Sequence, residues 1–153
     1  MSKAFTKEDD AAQEAGLPDR AISPYANLVT AEGLAHIEAT ITKLADEQAR
    51  ATHAGDAPAA ASVARDLRYW NARRATAQLT EPKPSSQVQF GSRVTIKRAD
   101  QSSRTYRIVG TDEGDPSRGT LSYASPLAQA LMGKEIGDTV VVGGHEEEIV
   151  LVA

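Results

Sequence analysis

The feature that most restricts this chain is a pair of narrow apolar seams on either side of one tight break. Leu34, Ile37, Ile41, Leu44, Gln48 and Ala51 recur in alternating steps of three and four, a heptad seam with one polar member. Glu38, Lys43, Asp46, Glu47 and Arg50 fall off that seam. Thr30 stands where an N-cap belongs, so a helix is predicted from about Thr30 to about His53. Ala54-Gly55-Asp56-Ala57-Pro58 then interrupts the period. Gly55 can end the first helix in a left-handed conformation, Asp56 can cap the next, and Pro58 can sit in the first turn, where its missing N–H does no harm. Ala60, Val63, Leu67, Trp70, Arg74 and Ala77 repeat the spacing, and the second helix is expected to end near Leu79, before Pro82 and Pro84. Two such helices joined by a tight turn make an antiparallel coiled-coil hairpin. At 1.5 Å per residue, a helix of about 24 residues reaches roughly 36 Å. A compact helical bundle is the second reading, but it calls for wider apolar faces. The expectation is a projecting rod that presents its tip.

Beyond Glu81-Pro82-Lys83-Pro84-Ser85-Ser86, a linker by composition, the period changes to two. Val88-Gln89-Phe90, residues 93–97, 104–109 and 120–123 read as strands, with a turn over residues 99–103. Ser125 and Pro126 open a short helix through Leu131-Met132, as cap and first residue. Residues 139–142 and 148–152 close the chain as a hairpin around Gly143-Gly144. The fold class is therefore α+β: an N-terminal antiparallel helical hairpin over residues 30–80, a linker over 81–86, and a small antiparallel sheet domain with one short helix over 87–153. Residues 1–29, with Pro18, Pro24 and the acidic run Glu8-Asp9-Asp10, show no sustained period. They read as a partly disordered arm, the alternative being a tail that contacts a partner.

Composition narrows the function. The chain has no cysteine, which removes disulfides, thiolate nucleophiles and cysteine zinc sites together and fits a reducing cytoplasm. The first residues lack the apolar run of a secretory signal, and no segment approaches the roughly 18 apolar residues of a membrane helix. The net charge of -4 is spread along the chain, with six basic and six acidic groups over residues 30–80 and eight against ten over 81–153. No segment carries the basic excess that drives tight nucleic-acid binding. A protein partner and a monomeric state are expected.

A self-contained catalytic site is not apparent. His36, His53 and His145 lack metal-ligand spacing, Gly143-Gly144 is hairpin chemistry rather than a phosphate loop, and the Ser85-Ser86 and Ser102-Ser103 pairs have no base at a recognisable distance along the chain. Arg73-Arg74 reads as a surface pair. Asp56 has two readings: an N-cap worth about 1 kcal/mol, or a carboxylate that a projecting tip delivers into another molecule. One carboxylate holds a divalent ion only weakly unless the partner supplies further ligands.

Three stretches resemble a known family. Val88-Gln89-Phe90-Gly91-Ser92-Arg93-Val94, then residues 106–113 (Tyr106 to Glu113), then residues 125–138 (Ser125-Pro126-Leu127 through Gly137-Asp138) are similar, in order and spacing, to the C-terminal domain of the bacterial Gre transcript-cleavage factors. The preceding hairpin occupies the position of that family's coiled coil, and residues 1–29 fall outside the pattern. The resemblance implies an FKBP-like C-terminal domain that grips the rim of the RNA polymerase secondary channel, and a coiled coil that enters the channel. Acidic residues at its tip help hold a catalytic magnesium of the polymerase, which cuts backtracked RNA.

Carried onto this sequence, the family's tip pattern of Gly-Asp, two residues, then Glu-Asn meets Gly55-Asp56 followed by Ala59 and Ala60. One expected carboxylate is missing, and the arm is shorter by roughly one to two turns per helix, each about 5.4 Å. Ser125, Pro126 and Leu127 match the rim-contact segment, with Ala124 where the family often carries an acidic residue. The implied function is a non-enzymatic, polymerase-binding elongation regulator with weak or absent cleavage stimulation. It would have no cofactor of its own, with magnesium at the polymerase, and would meet nucleic acid only through the polymerase. Alternatives are an active cleavage cofactor using Asp56, or a Gre-fold regulator of another partner, for instance in nucleotide metabolism. An FKBP-type prolyl isomerase is disfavoured, because residues 87–153 carry only Phe90, Tyr106 and Tyr123 as aromatics.

Overall fold

The computed structural model describes residues 17–153. The first helix, α1, runs over Ala31–His53 and the second, α2, over Ala57–Thr76. Thr30 is the N-cap of α1, its hydroxyl accepting the Gly33 N–H at 3.0 Å. The reciprocal half of a capping box would come from Glu or Gln at the third helical position, but that position is Gly33. Glu113 supplies the missing carboxylate: it accepts the Thr30 N–H at 3.2 Å and the Gly110 N–H at 3.0 Å, and takes the Thr30 hydroxyl as well. A side chain at position 33 would collide with the Glu113 carboxyl group, so glycine there is a packing requirement.

Along the hairpin the burial follows the seam. Ile37 is buried, Leu34, Ile41, Leu44, Gln48 and Ala51 are half-buried, and Glu38, Lys43, Asp46 and Arg50 are exposed. His36 of α1 meets Trp70 of α2 edge to face at 6.0 Å, so the start of one helix lies beside the end of the other. Two expectations change here. The α2 helix stops at Thr76, and Gln78–Leu79 is a short strand, β2, paired in parallel with β1, Leu28–Val29. Arg73, expected on the surface, is 1% exposed, whereas Arg74 on the predicted seam is exposed. The seam steps round the helix by one residue in its last turn.

The expected arm over residues 1–29 divides. Residues 1–16 lie outside the described residues. Arg65 Nε donates to the Pro18 carbonyl at 2.7 Å, Arg68 pairs with Asp19 at 2.7 Å, and Arg20 pairs with Asp66 at 3.2 Å while lying 4.0 Å over the Tyr69 ring. These residues are therefore packed along α2, at sites half-exposed enough for each ion pair to contribute little.

The sheet domain is five-stranded in the order β5-β4-β3-β7-β6, with β3 at Arg93–Lys97, β4 at Ser103–Val109, β5 at Thr120–Ser122, β6 at Thr139–Val142 and β7 at His145–Val152. It is antiparallel except for β4 and β5, which pair in parallel; a segment with one 3-10 turn, Pro116–Arg118, makes that crossover. A bulge opposite Thr95–Ile96 takes up Val150, so that Ile149 and Ile96 both stay in the core. The helix α3, Pro126–Leu131, buries Ala128 and Leu131 against Val94, Ile108, Leu121 and Val140. Val88-Gln89-Phe90 is not a strand. Val88 and Phe90 do point inward, but Val88 exchanges hydrogen bonds with the loop at residues 133–134, and Gly91 turns the chain at φ +86° before β3 begins. Residues 25–34 belong to the sheet-domain unit, and residues 35–76, with the described residues 17–24, form the helical unit.

Candidate functional site

Two places carry the residues singled out in the sequence, one in each unit. At the hairpin turn, the Gly55 N–H donates to the Thr52 carbonyl at 3.1 Å and the Asp56 N–H to the Ala51 carbonyl at 2.9 Å, with Gly55 at φ +69°. These two bonds satisfy the last carbonyls of α1 in a Schellman motif, which requires the left-handed residue that glycine supplies. Asp56 then caps α2: one oxygen of its carboxylate, Oδ1, accepts the Ala59 N–H at 3.1 Å. The residue is fully on the surface, as are Gly55 and Pro58. Asp56 is thus an N-cap through one oxygen, on an exposed side chain. Ala59 and Ala60 are half-buried and offer no second oxygen. Among the described residues, no group of three or more His, Cys, Asp or Glu is placed to hold a metal ion. His53, also exposed, lies three residues before Asp56 in sequence.

In the sheet domain, β5 leads into a corner built by hydrogen bonds. The Ser125 N–H donates to the Ser122 carbonyl at 2.9 Å and the Ala124 N–H to the Ser122 hydroxyl at 3.2 Å. Ser125 caps α3, its hydroxyl accepting the Ala128 N–H at 3.3 Å, with Pro126 at the first helical position. Pro126 is exposed, while Leu127 is half-buried and packed against the core. Of the two, Pro126 is the more exposed.

Sequence reasoning missed the supports behind this corner. Tyr123 is buried, its carbonyl accepts from Gln129 Nε2 at 2.6 Å, and its hydroxyl donates to the Ala26 carbonyl. It also missed Glu113, whose only signal was a Thr cap at position 30 with glycine where the capping acid belongs.

The comparisons with known proteins bear on the same domain. Residues 83–152 match the family model described as "Transcription elongation factor, GreA/GreB, C-term". Over these residues the chain is similar to the Gre-type elongation factor family. The Gre-type segment is 40% identical over 79 residues to transcription elongation factor GreA of Desulfovibrio desulfuricans, covering 50% of this chain and 49% of that protein. It is 50% identical over 58 residues to GreA of Hyphomonas neptunium, covering 37% of each. The matched part thus spans about half, or less, of the length of these curated relatives. Among solved structures, the GreA factor homolog 1 (Gfh1) of Thermus thermophilus aligns with 84% of this chain and 99% of its own, at 16% identity and a TM-score of 0.42. No helix among the described residues is long and apolar enough to cross a membrane.

Proposed function

We propose that this chain binds bacterial RNA polymerase at the rim of the secondary channel and regulates elongation, with weak or no stimulation of transcript cleavage. The observation that carries the reading is the Gre-type match over residues 83–152 in a chain whose preceding hairpin ends on Gly55-Asp56. The Ser125-Pro126-Leu127 corner is the docking element, with Pro126 the exposed contact. The hairpin occupies the channel without bringing a complete acidic tip.

Chemistry supports the negative half of the proposal. The polymerase's magnesium would meet one carboxylate, and that carboxylate already spends one oxygen on the Ala59 N–H. A single, partly engaged oxygen donor adds little to a hard cation that prefers six oxygen ligands in tight geometry. The chain itself performs no bond-making step in this scheme. It contributes position, bulk and one negative charge.

Co-purification with core polymerase tests the docking. Wild-type chain should be retained and Pro126→Glu should be lost while its thermal unfolding stays near wild type. Retention of the folded variant would count against the corner. A backtracked elongation complex supplied with the chain and magnesium should release little or no short 3′ RNA fragment. Efficient release abolished by Asp56→Ala would establish instead the active-cofactor reading.

A further inference from the structure

The segment that precedes α1 touches the corner's underside. Tyr123 follows directly on β5 and is 7% exposed; its N–H donates to the Val109 carbonyl at 2.9 Å. Its ring is wedged edge to face between two others, Phe90 at 5.7 Å and Tyr25 at 6.2 Å. Its hydroxyl donates to the Ala26 carbonyl, an oxygen that also accepts the Leu28 N–H at 3.0 Å. On the other side, the Tyr123 carbonyl accepts from Gln129 in α3.

Segment 25–30 is itself tied down. The Gln78 N–H donates to the Asn27 carbonyl at 2.8 Å, the Thr80 N–H to the Val29 carbonyl at 2.9 Å, and Thr30 is held by Glu113. Tyr123 is therefore clamped between a fixed early segment and the helix that carries Pro126. All of these residues group in the one sheet-domain unit.

From this geometry we infer that Tyr123 is a positioning residue for the docking corner, braced by Tyr25 and Ala26. A functional docking surface in this chain then requires residues well before 83, beyond the stretch that matches the family. The inference rests on the docking reading above for its functional consequence, but the brace itself does not. Tyr25 keeps 52% of its surface exposed while its edge contacts Tyr123, as expected of a cover on one side of a buried ring rather than of a core residue. Removing the hydroxyl leaves the Tyr123 ring packed and deletes the bond to Ala26. Removing the Tyr25 ring leaves that bond and deletes the cover.

Amide hydrogen exchange on the full chain reads the brace without any partner. Tyr123→Phe and Tyr25→Ala should each speed exchange at residues 124–131 by about fivefold, the equivalent of one ordinary hydrogen bond. The slow amides of β3 and β7 should be unchanged. A general loss of stability would speed β3 and β7 equally and would overturn the local role, as would unchanged exchange at 124–131. Polymerase affinity is the second arm: both variants should weaken it by a similar factor. If exchange rises locally and polymerase is not bound even by wild type, the docking reading fails and the brace stands. If wild type binds and the variants exchange faster but bind equally well, the positioning role is overturned.

Discussion

The two units of this molecule solve burial differently. In the sheet domain, Val94, Ile108, Leu131 and Ile149 are all but inaccessible and lie in one cluster fed by five strands and a helix. In the hairpin, Ile37 and Arg73 are the buried side chains of the described helical residues 35–76, and the rest of the seam is half-exposed or, at Arg74, exposed. A two-helix stripe has only one side to hide, so each apolar residue removes less area from water. The hairpin keeps its turn, with Gly55 and Asp56, wholly on the surface.

Truncations should expose the contrast most strongly. Ile149→Ala is expected to cost about 2–5 kcal/mol, transfer and cavity together, whereas Leu44→Ala in the half-exposed seam should cost about 1 kcal/mol. Urea unfolding of the two variants measures both. Equal losses would mean that the hairpin seam is packed as tightly as the sheet core.

Next in size is the capping box completed by Glu113. Gly33→Ala forces the carboxyl group off Thr30 and Gly110 and should cost about 1–3 kcal/mol, the penalty for polar groups losing their partners. Alanine normally improves a helix interior, so a stabilised Gly33→Ala would refute the role assigned to Glu113. Asp56→Ala should cost about 1 kcal/mol as a lost N-cap, and should leave polymerase binding intact if the corner alone docks the chain.

Glu32 gives the smallest expected effect, a pH dependence. Its carboxyl is held below its ordinary value of 4.5, first by a backbone hydrogen bond at its own amide and then by the Arg107 side chain 3.3 Å away. A carboxylate whose folded value is depressed contributes stability that is present above the unfolded value and disappears as pH falls through the folded one. Glu32→Gln should thus lower the melting temperature slightly at neutral pH, and the difference from wild type should shrink as pH falls below about 4.5. An effect that grows as the solution is acidified would reverse the assignment.

The sequence made the hairpin legible because its period, its Gly55-Asp56 break and its Thr30 cap are local signals that each act within one or two turns. The corner was legible for the same reason, since Ser125 and Pro126 form a cap with its own grammar. What stayed hidden depends on long separations. Glu113 reaches Thr30 across 83 residues and Tyr123 reaches Ala26 across 97, and no local pattern encodes such partners. The strand expected at Val88-Gln89-Phe90 failed for a related cause: its inward alternation is real, but its backbone bonds go to a loop rather than to a ladder. The end of α2 was misplaced because Gln78 and Leu79 find a strand partner in Leu28–Val29, a tertiary contact that outweighs continued helical period.

The absence of cysteine makes the most direct test simple, because Asp56→Cys introduces a single thiol into the chain. A photocrosslinker on that thiol, with the labelled chain bound to core polymerase, should join the walls of the secondary channel, and Pro126→Glu should abolish the crosslink. A stable complex whose crosslinks all fall outside the channel, or no complex at all, would contradict the account.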